Sequence, residues 1–166
     1  MTEGWTTRVG FGFDLHRLVP GRKLVLAGVP IPFEKGLLGH SDADVILHAV
    51  CDALLGAAGL GDIGQHFPDT DPALKDISSV LLVARTFRMI SDKGFSVNNV
   101  DATVLAEAPR LAPHTSAMAA SVAKLLKIEP GCVNIKATTM EGLGLVGKEE
   151  AMAAMCVVSL VLTGNP

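Results

Sequence analysis

The sequence predicts an α+β fold: a single domain, residues 1–166, with helices packed on one face of a mixed β-sheet. Three observations lead there. Strand-like segments lie toward both ends of the chain and helix-period segments lie between them. The third is size: 166 residues with 49% hydrophobic content supply one real core but are short for two.

Residues 7–13 and 23–27 read as strands. A helix is expected over 42–58, with Ser41 as its N-cap and Asp44, three residues on, resembling the acidic partner of a capping box. Val45, Leu47, Ala49, Val50, Ala53, Leu54 and Ala57 give this helix its buried stripes. Residues 59–72 form a turn-rich loop, and 78–93 a second amphipathic helix closed by Gly94 at C′. A strand is expected over 97–106, and Pro113 opens a third helix running to 126. Strands over 133–138 and 151–162 finish the chain, the last rich in Val, Met and Leu and expected at the centre of the sheet. The order is ββααβαββ. Few charges interrupt the strands, so the second sheet face also reads as apolar, which points to a subunit interface.

Composition excludes several classes. A formal charge of −3, with one Trp and no Tyr, gives neither a basic surface nor stacking residues for nucleic acid. Cys51, Cys132 and Cys156 are odd in number, widely spaced and set in apolar sequence, as core thiols of a reducing compartment are. Residues 1–7 are too short and polar for a targeting peptide, and 151–162 is too short to span a bilayer. The expectation is a cytoplasmic protein without a membrane anchor.

The most informative motif lies in 9–16 (VGFGFDLH), where period-2 alternation turns Asp14 and His16 to one face. His48, inside the first helix, is the natural third donor. A carboxylate and two imidazoles suit zinc and leave its fourth position open for substrate or water. The structural alternative has Asp14 as a turn acceptor, His16 as a surface side chain and His48 as a hydrogen-bonded helix residue. Asp44 and His48, at i and i+4, share a helix face.

Three loops carry further chemistry. His40 and Ser41 stand at the start of the first helix, a place suited to an anion. Asp62-Ile63-Gly64 and the run Phe67, Pro68, Asp69, Thr70, Asp71 offer carboxylates and free backbone groups for sugar hydroxyls or cations. Thr138, Thr139, Met140 and Glu141 precede a glycine loop that ends at Lys148, and Glu141 could hold a second, hard cation such as Mg²⁺. Taken singly, Ser41 as a helix cap, the Asp-Thr-Asp run as a turn and Thr138-Thr139 as strand residues are the plainer readings. Lys148 with Glu149 and Glu150 reads by default as a solvated cluster, and His66 and His114 have no partner pattern.

The segments 8–16 (RVGFGFDLH), 36–45 (GLLGHSDADV), 54–64 (LLGAAGLGDIG), 67–72 (FPDTDP) and 136–141 (KATTME) closely resemble the 2-C-methyl-D-erythritol 2,4-cyclodiphosphate synthase family of the non-mevalonate isoprenoid pathway. The likeness runs in unchanged order from Arg8 to Leu162. It implies a phosphorus-oxygen lyase that converts 4-diphosphocytidyl-2-C-methyl-D-erythritol 2-phosphate into the cyclic diphosphate. The substrate's 2-phosphate attacks the β-phosphorus and CMP leaves. The nucleophile belongs to the substrate, consistent with the lack of any Ser-His-Asp or Cys-His arrangement.

By the same resemblance, Asp14, His16 and His48 hold Zn²⁺, and Glu141 holds Mg²⁺ or Mn²⁺ bridging the substrate diphosphate. His40 and Thr139 match the transition-state stabilising pair, and Ser41 supports the same phosphate. Asp62, Ile63 and Gly64 match the erythritol-holding segment, and Phe67 to Asp71 the loop that closes over it. Ala106, Pro109, Arg110, Leu111 and Ala112, with Thr138, Thr139 and Met140 nearby, match the cytidine pocket. The family's homotrimers form active sites between subunits, so metal and cytidine segments are expected from different chains. The glycine loop departs from the family: Leu145 replaces a common Phe, Lys148 a common Arg, and Glu149 and Ala151 replace glycines. Lys keeps the charge but loses the bidentate fork, so the family's isoprenoid diphosphate at the trimer centre is not carried over. Two other readings remain: a metal-dependent phosphohydrolase, and a non-catalytic trimeric binder of isoprenoid diphosphates.

Overall fold

A long first strand sets the frame. In the computed structural model, which describes residues 7–163, β1 covers Thr7–Pro20 and runs well past the expected end at residue 13. It continues because it has partners throughout: β7 (Ala151–Leu162) pairs antiparallel with it from Thr7 to Arg17, and β4 (Lys35–Leu38) takes over from Arg17 to Pro20. Asp14 and His16 therefore sit within a strand, not at its exit. The reading of residues 1–7 as free of a targeting signal lies, except for Thr7, outside the described residues.

The five-stranded sheet has the order β4-β1-β7-β5-β6, with β5 at Phe95–Leu105 and β6 at Val133–Thr138. Only the β5–β6 pair is parallel, so the sheet is mixed and β7 is central, as expected. The expected strand at 23–27 contracts to β2 (Leu24–Leu26), which leaves the main sheet to form a hairpin with β3 (Val29–Ile31). Ala27 and Gly28 make its two-residue turn, both with positive φ, +53° and +74°.

Helix α1 (Val45–Ala58) crosses β1 and β7, α3 (Ser79–Asp92) lies beside it, and α4 (Thr115–Leu126) covers β6. Helix α1 starts three residues later than expected. Its N-cap is Asp44, whose carboxylate accepts from the Leu47 N–H, while Ser41 lies upstream in a turn. Asp44 is fully buried and also accepts from Ala27 N at 2.9 Å and Gly28 N at 2.6 Å, tying the β2–β3 turn to the helix start. Burial pushes its carboxyl up to about 6, against the pull of those backbone donors. The expected loop over 59–72 contains a short helix α2 (Ile63–His66), and a 3₁₀ turn precedes α4, which begins at Thr115 and not at Pro113. Helix α3 ends as expected, with Gly94 at φ +81° after the Lys93 cap.

The two sheet faces differ. Even-numbered residues of β1 and β7 face the helices. Val9, Phe11 and Phe13 on the other face are 66%, 60% and 48% exposed, joined by Leu15, Met155 and Val157. The exposed apolar patch is largest there. Toward β5 and β6 the same face carries Asp101, which pairs with Lys136 at 2.6 Å and accepts from Asn134 at 2.9 Å. No helix among the described residues is long and apolar enough to cross a membrane. Cys51 and Cys156 are buried, and burial pushes both thiols up to about 12.

What brings α1 down onto β1 is the absence of side chains. A Cβ on Gly10 would lie 1.9 Å from the Ala53 carbonyl oxygen, and one on Gly12 1.9 Å from that of Ala49. Ala49, Ala53 and Ala57, four residues apart, form the helix ridge that fits these gaps. Gly12→Ala should therefore cost about 3 kcal/mol, the upper end for overpacking a core. Urea denaturation of wild type and variant measures it, and a loss below about 1 kcal/mol would mean that the helix can back away freely.

Candidate functional site

Asp14 and His16 follow Gly10 and Gly12 on the helix-facing side of β1, and the descent of α1 lands His48, in its first turn, against them. Asp14 Oδ2 is 2.9 Å from His16 Nε2 and 2.9 Å from His48 Nδ1, and the two imidazole nitrogens are 3.0 Å apart. The sequence-predicted trio is thus one cluster, half-buried, with three converging donor atoms. Ligands about 2.0–2.1 Å from a tetrahedral zinc lie roughly 3.3 Å apart. A few tenths of an ångström of expansion would seat the ion, and the two-nitrogen, one-oxygen donor set suits it.

The tautomer of His16 is fixed from behind. Its Nδ1 donates to the Leu38 carbonyl at 3.1 Å, so loss of the Nε2 proton shared with Asp14 leaves the Nε2 lone pair for a metal. That carbonyl belongs to β4, a strand too short to read from sequence. Gly39 makes room: a Cβ there would stand 3.1 Å from the His16 ring. Burial opposes the charge on Asp14, but hydrogen bonds from His16 and His48 outweigh it and hold the carboxyl well below the usual range. Burial likewise opposes a proton on His16, and Asp14 overcomes it, so His16 keeps its proton to higher pH than a free imidazole.

The cluster opens on a cavity of about 310 Å³. His16, His48, His40 and Ser41 form its polar wall, Ile63, Gly64, Phe67 and Asp69 line it, and Leu74, Ile77 and Leu82 make an apolar floor that sequence reasoning missed. Those three carry no chemistry of their own, and only the fold brings them here. His40 Nε2 donates to the Asp71 carbonyl at 3.1 Å. In this arrangement its ring offers a phosphoryl oxygen a donor only through a protonated Nδ1, or after that bond is exchanged. Asp62 caps α2 and is exposed, and hydrogen bonds from the Gln65 side chain and backbone hold its carboxyl low. Pro68 and Thr70 lie in the same loop without lining the cavity.

The anion reading at the α1 N-terminus needs correction. The Asp44 carboxylate already occupies that end of the helix, so phosphate binding there would meet a fixed negative charge and a spent donor. Nor do Asp44 and His48 look into one site: the Asp44 carboxylate turns to the β2–β3 hairpin and His48 to Asp14. His40 and Ser41 reach the cavity from the turn before the helix.

A second cavity, about 230 Å³, is lined by Ala106, Pro109, Arg110, Leu111 and Ala112 on one side and by Ala137, Thr138 and Thr139 on the other. Glu107, absent from the sequence reading, also lines it and accepts from the Met140 N–H at 3.1 Å, binding the two segments together. Thr139 Oγ1 donates to Glu141 Oε1 at 2.9 Å. Leu145 and Lys148 lie in and after the short helix α5 (Gly144–Gly147), outside the walls of both cavities. Glu149, at a position where the family commonly has glycine, adopts φ +55° and pairs with Lys35 at 3.1 Å. The two cavities share no lining residue.

Comparison with known proteins places the chain among named relatives. The YgbB family profile matches residues 7–161. A 2-C-methyl-D-erythritol 2,4-cyclodiphosphate synthase of Desulfosudis oleivorans is 66% identical over 154 residues, 93% of this chain and 92% of the relative. One of the same name from Desulfatibacillum aliphaticivorans is 61% identical over 92% of this chain and 99% of its own. Among solved structures, the bifunctional IspDF from Campylobacter jejuni superposes with a TM-score of 0.92 at 41% identity over 96% of this chain, which spans 43% of that longer protein. A 2C-methyl-D-erythritol-2,4-cyclodiphosphate synthase in a CDP-bound form gives a TM-score of 0.85 at 37% identity, covering 92% of this chain and 99% of the other. With the profile spanning nearly every described residue, the chain belongs to the YgbB family.

Proposed function

We propose that this chain, acting as a single domain, is a 2-C-methyl-D-erythritol 2,4-cyclodiphosphate synthase, a lyase that cyclises 4-diphosphocytidyl-2-C-methyl-D-erythritol 2-phosphate with release of CMP. The observation that carries the reading is the Asp14–His16–His48 cluster opening beside His40 and Ser41, in a chain 66% identical to an enzyme of that name.

In this reading Asp14, His16 and His48 would hold zinc, which would supply Lewis-acid polarisation of a phosphoryl oxygen, and Glu141 would hold Mg²⁺ or Mn²⁺ near the diphosphate to neutralise its charge. His40, Ser41 and Thr139 donate to phosphoryl oxygens as charge shifts toward the leaving CMP. Asp62, Ile63 and Gly64 orient the erythritol, and Phe67, Pro68, Asp69, Thr70 and Asp71 exclude water from it. The second cavity, with Ala106, Pro109, Arg110, Leu111, Ala112, Thr138 and Met140, takes the cytidine, and Leu145 and Lys148 flank the phosphates. Because both reacting phosphates belong to one substrate, the residues mainly position and neutralise.

The two cavities are separate on one chain, and an apolar patch of β1 and β7 stands bare. Both features support a homotrimer packed sheet to sheet, with each active site completed by two subunits. The buried thiols support a cytoplasmic setting.

Four measurements test this. ³¹P NMR of the protein with the substrate and Mg²⁺, before and after zinc is stripped, should give metal-dependent cyclic diphosphate and CMP; open-chain phosphates would make it a hydrolase, and unchanged substrate a binder. His48→Ala should abolish zinc binding and lower turnover on the order of 10³-fold, the several kcal/mol that Lewis-acid stabilisation supplies. Zinc must also displace the proton that Asp14 helps His16 to keep, so apparent affinity should fall as pH is lowered and binding should release protons. A pH-independent affinity would place zinc elsewhere. Glu141→Gln should lower turnover more than zinc content, and unchanged Mg²⁺ dependence would remove Glu141 from the second cation site.

A further inference from the structure

Only one nitrogen of His48 belongs to the metal cluster, and the other faces two serine hydroxyls. Nε2 lies 2.9 Å from Ser79 Oγ and 3.0 Å from Ser41 Oγ. For Nδ1 to offer a lone pair, the neutral ring must carry its proton on Nε2, which is then a donor needing an acceptor. The surroundings decide which serine supplies it.

Ser79 is fully buried and its hydroxyl hydrogen is committed to Asp42 Oδ1. An ionised carboxylate accepts only, so Ser79 Oγ is left facing His48 with lone pairs and no proton. Asp42 is itself well held. Its Oδ2 accepts from the Ser79 N–H at 3.0 Å, so it serves the start of α3, where the positive helix end favours its charge. Its own N–H donates to the Ile77 carbonyl at 3.0 Å, locking the turn before α1 to the turn before α3. Ser41 is different. Its Oγ already accepts from Ala43 N at 3.0 Å, it lines the cavity, and its nearest other acceptor, Ser79 Oγ, is 3.5 Å away, too long for a good bond.

We propose that, once a metal replaces the Nδ1 hydrogen bond to Asp14, Asp42 and Ser79 form a clamp, carboxylate to hydroxyl to imidazole, that holds the His48 Nδ1 lone pair on the metal position and leaves the Ser41 hydroxyl hydrogen free for a ligand in the cavity. Ser79 is a positioning residue: it does not line the cavity and acts through His48. The chain thereby gives each metal-ligating imidazole a fixed acceptor at its far nitrogen, the Leu38 carbonyl for His16 and the Ser79 hydroxyl for His48. The inference rests on the metal reading of the cluster.

The test is zinc affinity, measured on metal-free protein by competition with a chromophoric chelator, with the cobalt(II) ligand-field spectrum as a second readout. Ser79→Ala should bind zinc about 10–100-fold more weakly, the usual effect of removing a partner behind a metal-bound histidine, and should perturb the cobalt bands. Asp42→Asn, which frees the Ser79 hydroxyl from an obligate acceptor, should also weaken binding, by less. Ser78→Ala, one residue away and without a side-chain capping bond, should match wild type. Wild-type affinity and spectrum in folded Ser79→Ala would overturn the clamp while leaving the metal site standing; if Ser79→Ala does not fold, Asp42→Asn decides by the same criterion. Failure of the wild type to bind zinc would overturn both.

Discussion

The close approach of α1 to β1 is the constraint on which the rest depends. Gly10 and Gly12 remove the side chains that would hold the helix off, and Ala49 and Ala53 present the small ridge that fills the space. Two residues further along the same face the strand stops being empty and becomes chemical, with Asp14 and then His16. The helix that the glycines admit brings His48 to 2.9 Å from Asp14. A strand with larger residues at 10 and 12 would keep the same three donors and hold them apart. Packing geometry and donor geometry are thus one property of a short alternating stretch.

Much of this was legible because alternation is a strong signal. The pattern of 9–16 put Asp14 and His16 on one face, and the periodicity of 42–58 marked the helix bearing His48. The helix start was misread for a physical reason: Ser41 followed by Asp44 has the look of a capping box, but Ala43 turns left-handed at φ +57° and passes the cap to Asp44. Nothing in an alanine announces that conformation. β2 was legible in 23–27, but β3 and β4 escaped because strands of three or four residues, with Pro30 inside β3 and Pro32 just after it, carry too little periodicity to read. Ser79, 31 residues from His48, and Glu107, 33 from Met140, act through contacts that only the fold creates.

The sheet's outer face divides in a way that composition alone did not suggest. Phe11 opposes Val157 and Phe13 opposes Met155 across the β1–β7 ladder, so the exposed apolar side chains form one continuous strip. Beside it, Asp101, Lys136 and Asn134 satisfy one another on β5 and β6. A strip of that kind, bounded by polar residues on one side, fits a second copy better than it fits water. A substrate with a nucleoside at one end and a phosphorylated tetrol at the other also needs more than either cavity alone supplies.

Several groups assigned to the substrate in the proposed reaction are already occupied by internal partners. The His40 Nε2 proton rests on the Asp71 carbonyl and the Thr139 hydroxyl on Glu141, while the Met140 N–H is held by Glu107. A donor left bare at half-buried His40 or Met140 would cost about 1–3 kcal/mol, so holding it on a nearby acceptor keeps the free protein stable, whereas the exposed Thr139 hydroxyl also has water within reach. In the proposed reaction, ligand binding would exchange one hydrogen bond for another, stronger one to an ionised phosphate. The metal cluster is held differently: His16 has its far nitrogen fixed by a backbone carbonyl, while its other nitrogen rests on Asp14 until a metal displaces the proton between them. Rigid ligands for the cation and exchangeable donors for the phosphates are two solutions to one problem, the stability of polar groups while the site waits for its charge.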